Sequence, residues 1–121
     1  MAIVKINLSG HDNAALNDLG FTFPGALHVD LSQDDCAQKV AQFVMGLGIG
    51  SGDTVYLAAP GLAPLALMVA ATIHGLCGTF PFIQPLVRQA DGTFVPGPVV
   101  DLQGLRNDTA RGKGRQDVVV L

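Results

Sequence analysis

The chain has 121 residues, 49% apolar and 14% charged, with a formal net charge of −3. That length makes one domain with one real core and not two. The charge gives no basic face for general binding to duplex DNA or RNA. An ordinary domain carries about 25% charged residues, so this one is short of charge to cover its surface, and a second copy is the simplest cover.

Ile3 to Leu8 reads as a first strand, with Val4, Ile6 and Leu8 on one face and Lys5 and Asn7 on the other. The same run lacks the length and order of a secretion signal, so a cytoplasmic protein is expected. Asp12 to Leu19 reads as a short helix, with Asp12 as N-cap and Gly20 as stop. "FTFPG" (21–25) is a turn, and "ALHVDL" (26–31) reads as a second strand. Ser32 with Asp35 matches a capping box. Cys36, Val40, Phe43, Val44 and Leu47 then follow at helical spacing, which predicts an amphipathic helix over 33–47.

"GIGSGD" (48–53) ends that helix, and Thr54 to Ala59 reads as a central parallel strand. No charged residue lies between Asp53 and Arg88. Pro60, Gly61 and Pro64 interrupt that stretch and leave about 13 helical residues, ending near Leu76, against the ~20 needed to cross a bilayer. A helix packed on a sheet is the better reading. Phe80 to Ile83 begins a fourth strand that Pro81 and Pro85 keep short, distorted or near an edge. Asp91-Gly92 signals a two-residue type I′ hairpin joining a strand near 86–89 to one near 93–95, with 99–102 continuing it. The polar tail 103–121 carries Arg106, Arg111, Lys113 and Arg115 and closes with "DVVVL", read as a short edge strand.

Helical crossovers between short strands imply a parallel sheet. The expected fold is a small Rossmann-like α/β domain over 1–102, with flanking helices and an antiparallel hairpin extension, followed by the tail. Cys36 and Cys77 form no CxxC motif and no metal-ligand spacing, so both read as reduced thiols. The histidines have no carboxylate or thiol at metal-ligand spacing, and no cofactor is expected.

In such a fold ligands bind outside the carboxyl ends of the strands. Three loops fall there: Ser9-Gly10-His11, Asp30-Leu31-Ser32 and Ala59-Pro60-Gly61-Leu62. Each opens a helix, whose first N–H groups suit a phosphate. Gly10 and Gly61 allow close approach or are simply turn residues. None of this is a GxGxxG or GxxxxGK[ST] motif. His11 can donate to a phosphate or assist proton transfer, or it is an ordinary loop histidine. His28 reads as half-buried strand packing, and His74 as a residue at a helix C-terminus, away from the three loops. Ser9, His11 and Asp30 are the residue types of a hydrolytic triad, but no GxSxG elbow accompanies them.

"NLSGH" at the end of the first strand, the "PGLAP" loop and "HGLCGTFPFI" (74–83) together resemble the Csx-fifteen family, small CARF-like proteins of type III CRISPR systems. The resemblance covers roughly 3–11 and 55–86. His74, Gly75, Gly78, Phe80 and Pro81 are its most specific part, and nothing from about Gln103 onward matches. It implies a CARF-like homodimer, or a higher homo-oligomer, that binds cyclic oligoadenylate across a two-fold axis, most simply the four-nucleotide ring. The residues expected to hold the ring are Ser9, Gly10, His11, Asp30, Ala59, Pro60, Gly61, Leu62 and Arg88. Arg88 or the tail must offset the negative net charge.

The leading expectation is a protein that sequesters cyclic tetra-adenylate and dampens the antiviral signal. A metal-independent ring nuclease is the alternative, with Ser9 and His11 as candidate catalytic residues, because positioning alone can drive much of such a cleavage. An unrelated nucleotide-binding or purely structural α/β domain is the third reading.

Overall fold

The computed structural model describes residues 1–112. In chain order the elements are β1 (Ile3–Asn7), α1 (Ala14–Asp18), α2 (Cys36–Met45), β2 (Thr54–Ala58), α3 (Ala63–Cys77), β3 (Phe82–Ile83), β4 (Leu86–Arg88), β5 (Phe94–Pro96), β6 (Val100–Asp101) and α4 (Leu102–Ala110). β1 and β2 pair in parallel from Ile3↔Thr54 to Asn7↔Ala58, and β3 joins β2 in parallel through Tyr56↔Phe82 and Leu57↔Ile83. β6 closes the four-stranded sheet antiparallel to β3, and β4 and β5 form a separate hairpin. The fold is therefore the expected α/β class: a parallel sheet flanked by helices, with an antiparallel hairpin extension.

The two sheet faces are covered unequally. Ile6 and Leu8 from the β1 run and Val55 and Leu57 from β2 point to one side. There they pack with Val40 and Val44 of α2 and with Leu65, Val69, Ile73 and Cys77 of α3. Strand alternation sends Tyr56 and Ala58 to the other side, where a smaller cluster forms with Leu16 of α1 and Phe21. Both cysteines are free thiols, Cys77 buried and Cys36 partly so. Among the described residues no helix is long and apolar enough to cross a membrane.

Several elements depart from expectation. Residues 26–31 form no strand. They keep the predicted alternation, since Leu27 and Val29 pack against the main core while His28 and Asp30 are exposed, but they make no ladder. The free edge of β1 is already occupied: Thr22 N donates to Lys5 O and Asn7 N donates to Thr22 O. Pro24 and Gly25, the latter at φ 110°, then turn the chain off that edge. β1 is thus an edge strand with one bridge partner at Thr22, while β2 is central as expected. His28, expected as half-buried packing, is exposed for the same reason.

α2 starts at Cys36 and not at 33: the Ser32 hydroxyl and N–H both donate to Asp30 Oδ1, at 2.7 and 3.0 Å, in a turn ahead of the helix, and the N-cap is Asp35, with no side-chain cap bond. The N-cap of α1 is Asn13 and not Asp12: Asn13 Oδ1 accepts the Ala15 N–H at 2.8 Å. The hairpin turn is not type I′, since Gly92 is left-handed (φ 87°) and Asp91 is not. Asp91 instead accepts the Thr93 N–H and hydroxyl, and Gly92 N donates to Gln89 O, a type I turn followed by a glycine bulge. Residues 100–101 join the main sheet rather than the hairpin. Within the stretch read as a polar tail, α4 forms behind Asp101, whose carboxylate caps Gly104 N, and Gln103 Oε1 accepts the Phe80 N–H. The expected edge strand at 117–121, with Lys113 and Arg115, lies outside the described residues.

Candidate functional site

β1, β2 and β3 run parallel, so their carboxyl ends open on one side of the sheet. The loop after β1 is shaped by Asn7, which is 0% exposed. Its Oδ1 accepts the Ser9 N–H at 3.0 Å and the Ser9 hydroxyl at 2.6 Å, and its Nδ2 donates to His11 O at 2.6 Å. A single buried amide thereby fixes the whole Ser9-Gly10-His11 turn. Gly10 takes φ 85°, the left-handed conformation that a glycine adopts without penalty.

At this end lies an open cleft of about 310 Å³. Ser9 and His11 contribute from the first loop, Ala58, Ala59 and Gly61 from the end of β2, and Ile83, Gln84 and Pro85 from the end of β3. Leu86 and Phe94 close it from the hairpin. A second opening of about 230 Å³ shares Ser9 and Gly61 and adds Gly10, Pro60 and Leu62, with His28 and Leu65 beside them. The structure thus brings together Ser9, Gly10, His11, Ala59, Pro60, Gly61 and Leu62.

Asp30 lines neither opening. Its carboxylate is taken by the Ser32 hydroxyl, the Ser32 N–H and the Gln33 amide, which together hold it below the ordinary aspartate value. Arg88 is exposed and lines neither opening. It does face Phe94 across the hairpin ladder, on the same strand face as Leu86. His74 sits in the last turn of α3, its ring against Phe80 at 4.3 Å, away from the cleft as expected.

Two cleft residues, Gln84 and Phe94, and the buried Asn7 that holds the first loop went unread in the sequence. Asn7 lies on the side of β1 that alternation assigns away from the main core; only the loop folding back over it explains its burial. Gln84 is 6% exposed. Its Nε2 donates to Gly97 O at 2.7 Å and Pro85 O at 3.1 Å, pinning the base of the hairpin beside the sheet. Phe94 faces His11 with ring centroids 6.0 Å apart and planes 18° from parallel. An aromatic on a short exposed strand was its only signal.

The cleft is suited to hold an anion more than to activate a nucleophile. α3 opens at Leu62 with no side-chain cap; Pro64 in its first turn has no N–H, so the N–H groups of Ala63 and Leu65 remain there without a side-chain partner. The 15-residue helix directs the positive end of its dipole there. The Ser9 hydroxyl proton is directed at the Asn7 amide oxygen, and its lone pairs accept the His11 main-chain N–H at 3.3 Å. A serine nucleophile needs a base to take that proton. Among the described residues no group of three or more His, Cys or Asp side chains is placed to hold a metal ion.

No family model, no curated protein and no solved structure matches the chain.

Proposed function

We propose that the protein binds cyclic oligoadenylate, the four-nucleotide ring above all, and holds it without cleaving it. The observation that carries this reading is the cleft at the carboxyl ends of three parallel strands, where an uncapped 15-residue helix meets the Gly61 loop. Phosphates of the ligand sit against that helix N-terminus and the backbone of Gly10 and Gly61, where an added Cβ would meet nothing within 4 Å. His11, exposed at the mouth, donates to a phosphate from its ring edge. Retention in place of cleavage is favoured by the Ser9 hydroxyl, whose single proton is donated to Asn7 Oδ1 and is not free to donate to a phosphate of the ring.

A symmetric ring needs a symmetric receptor, and two copies supply one. The surface that supports this is the outer face of α3, where Pro64, Leu67, Ala71 and Gly75 are exposed, Leu67 to 71%, on a helix without a charged residue. A helix apolar on all sides is ordinarily buried. That face starts at Pro64, three residues past Gly61, so a copy seated on it about a two-fold axis running along the helix brings its own Gly61 loop to the same end.

Calorimetry with cyclic tetra-adenylate, followed by chromatography of the mixture, tests the proposal. Saturable binding at micromolar concentration with the ring recovered intact is the expected result. Linear di-adenylate with a 2′,3′-cyclic phosphate would make the protein a ring nuclease. Binding of mononucleotides or dinucleotides alone would make it a different nucleotide-binding domain.

A further inference from the structure

Phe94 is 38% exposed and belongs to neither core cluster. Such a ring adds little to the stability of the fold, yet it is held in place. Gln84 pins the hairpin base through Gly97 O and Pro85 O, and Asn13 Nδ2 reaches Phe94 O at 3.4 Å. The ring lines the cleft together with Leu86, and the imidazole of His11 stands 6.0 Å away, 18° from parallel. The two rings already stack on each other, so Phe94 offers a face inside the cleft to a flat ring, and a base extends that stack.

The ladder adds a cation at the same place. Gln89 N donates to Thr93 O and Gly97 N donates to Pro85 O, which marks these as the hydrogen-bonded pairs of the hairpin. Arg88 and Phe94 therefore oppose each other at a non-hydrogen-bonded position, where Cβ atoms come within about 4.5–5.5 Å. An exposed guanidinium thus leaves the strand next to the exposed ring, on the cleft side of the hairpin. The opposite wall is built from Ala58, Ala59 and Gly61, which fill no more of the cleft than methyl groups.

We infer that Phe94, with His11 beside it, is the stacking platform for the purine base of a bound nucleotide, and that Arg88 meets that nucleotide's phosphate. The inference rests on the reading of the cleft as a nucleotide site, and adds which wall takes the base. Base stacking tolerates different rings but requires one, so a sugar phosphate does not replace the nucleotide.

The chain contains no tryptophan, so Phe94→Trp creates a single fluorescent reporter that preserves a flat platform. Adenosine monophosphate should quench its emission saturably, and ribose 5-phosphate and inorganic phosphate should not. Phe94→Ala should weaken binding of cyclic tetra-adenylate, read by calorimetry, by at least about fivefold, with its melting curve showing that the fold persists. No quenching by adenosine monophosphate, or equal quenching by ribose 5-phosphate, overturns the platform. So does unchanged ring affinity in Phe94→Ala, and in that case the ring-binding proposal itself stands. Quenching by adenosine monophosphate in a protein that ignores the ring sustains the platform and overturns the ring.

Discussion

Asn7, the last residue of β1, and His11 in the loop after it lie four residues apart, and their side chains have opposite duties. Asn7 is fully buried and supplies both an acceptor to Ser9 and a donor to His11 O. Truncating it strands those partners in a partly buried site, which costs roughly 1–3 kcal/mol. Asn7→Ala should therefore lower the melting temperature and the ligand affinity together. The exposed ring of His11 contributes to neither core cluster. His11→Ala should change stability by no more than about 0.5 kcal/mol. It should still weaken cyclic tetra-adenylate binding at least tenfold, since a hydrogen bond to a charged phosphate is worth about 1.5–3 kcal/mol. Thermal melts and calorimetry on the two variants separate the roles; a His11→Ala protein that melts much lower but binds normally would make His11 structural. Both residues stand in "NLSGH", yet only His11 was legible as a site residue. Nothing in the spacing shows that the chain folds back over Asn7.

Acid sensitivity also belongs to single residues. Asp53 accepts the Gly50 and Ala2 N–H groups, Asp91 the Thr93 hydroxyl and N–H, and Asp30 the Ser32 hydroxyl and N–H and the Gln33 amide. Each carboxyl is held below the ordinary aspartate value of 3.8. As pH falls, the unfolded chain takes up these protons before the folded one does. The stabilisation is thus fully present above that value and is lost as pH drops through the lower, folded values. Asp53 uses a different oxygen for each N–H, so Asp53→Asn presents an NH₂ to one of them. Its melting temperature should be lower at neutral pH and should fall less than that of the native chain between about pH 5 and pH 3. An identical acid profile in the two proteins would show that Asp53 is not a source of the dependence.

At the scale of elements, the hairpin is the part of the site that can be loosened without touching the core. It contacts α1 and is anchored by Gln84. Gln84→Leu keeps the bulk but leaves the Gly97 carbonyl without its side-chain donor and Pro85 O with the Gly97 N–H alone, a loss of roughly 1–3 kcal/mol. Amide exchange should quicken at Gln89 and Gly97 while β1 and β2 keep their protection; exchange rising equally everywhere would mean that Gln84 supports the whole fold. The long apolar elements were legible because burial on one or both faces writes itself into composition: β2 and α3 lie within the uncharged run between Asp53 and Arg88. What failed was decided by competition between near neighbours. Asp30 draws Ser32 into a turn ahead of α2, which then begins at Cys36, and Thr22 occupies the edge of β1 on which 26–31 would have paired. α4 was missed because its stabilising features are a cap from Asp101 and a bond from Phe80 N to Gln103, neither of which leaves a hydrophobic period.

For the whole molecule, the uneven distribution of charge points to assembly. α3 presents Leu67 at 71% exposure on a helix with no charged residue. Leu67→Lys should be nearly neutral for the folding of a single copy, within about 0.5 kcal/mol, and should be incompatible with burial of that face against a second copy. Sedimentation equilibrium should give twice the chain mass for the native protein and the chain mass for Leu67→Lys. A native monomer, or a variant that still pairs, would remove this face from the account.

Ring binding as proposed requires the carboxyl ends of β1, β2 and β3 to form one ligand site. The most direct measurement is the change in backbone amide NMR signals during titration with cyclic tetra-adenylate. Ser9 to His11, Gly61 to Leu65 and the hairpin from Gln84 to Phe94 should shift and saturate together, with α4 and the C-terminal end of α3 unchanged. Shifts centred on α4 or on the His74 end of α3, or no shift at all at millimolar ring, would contradict it.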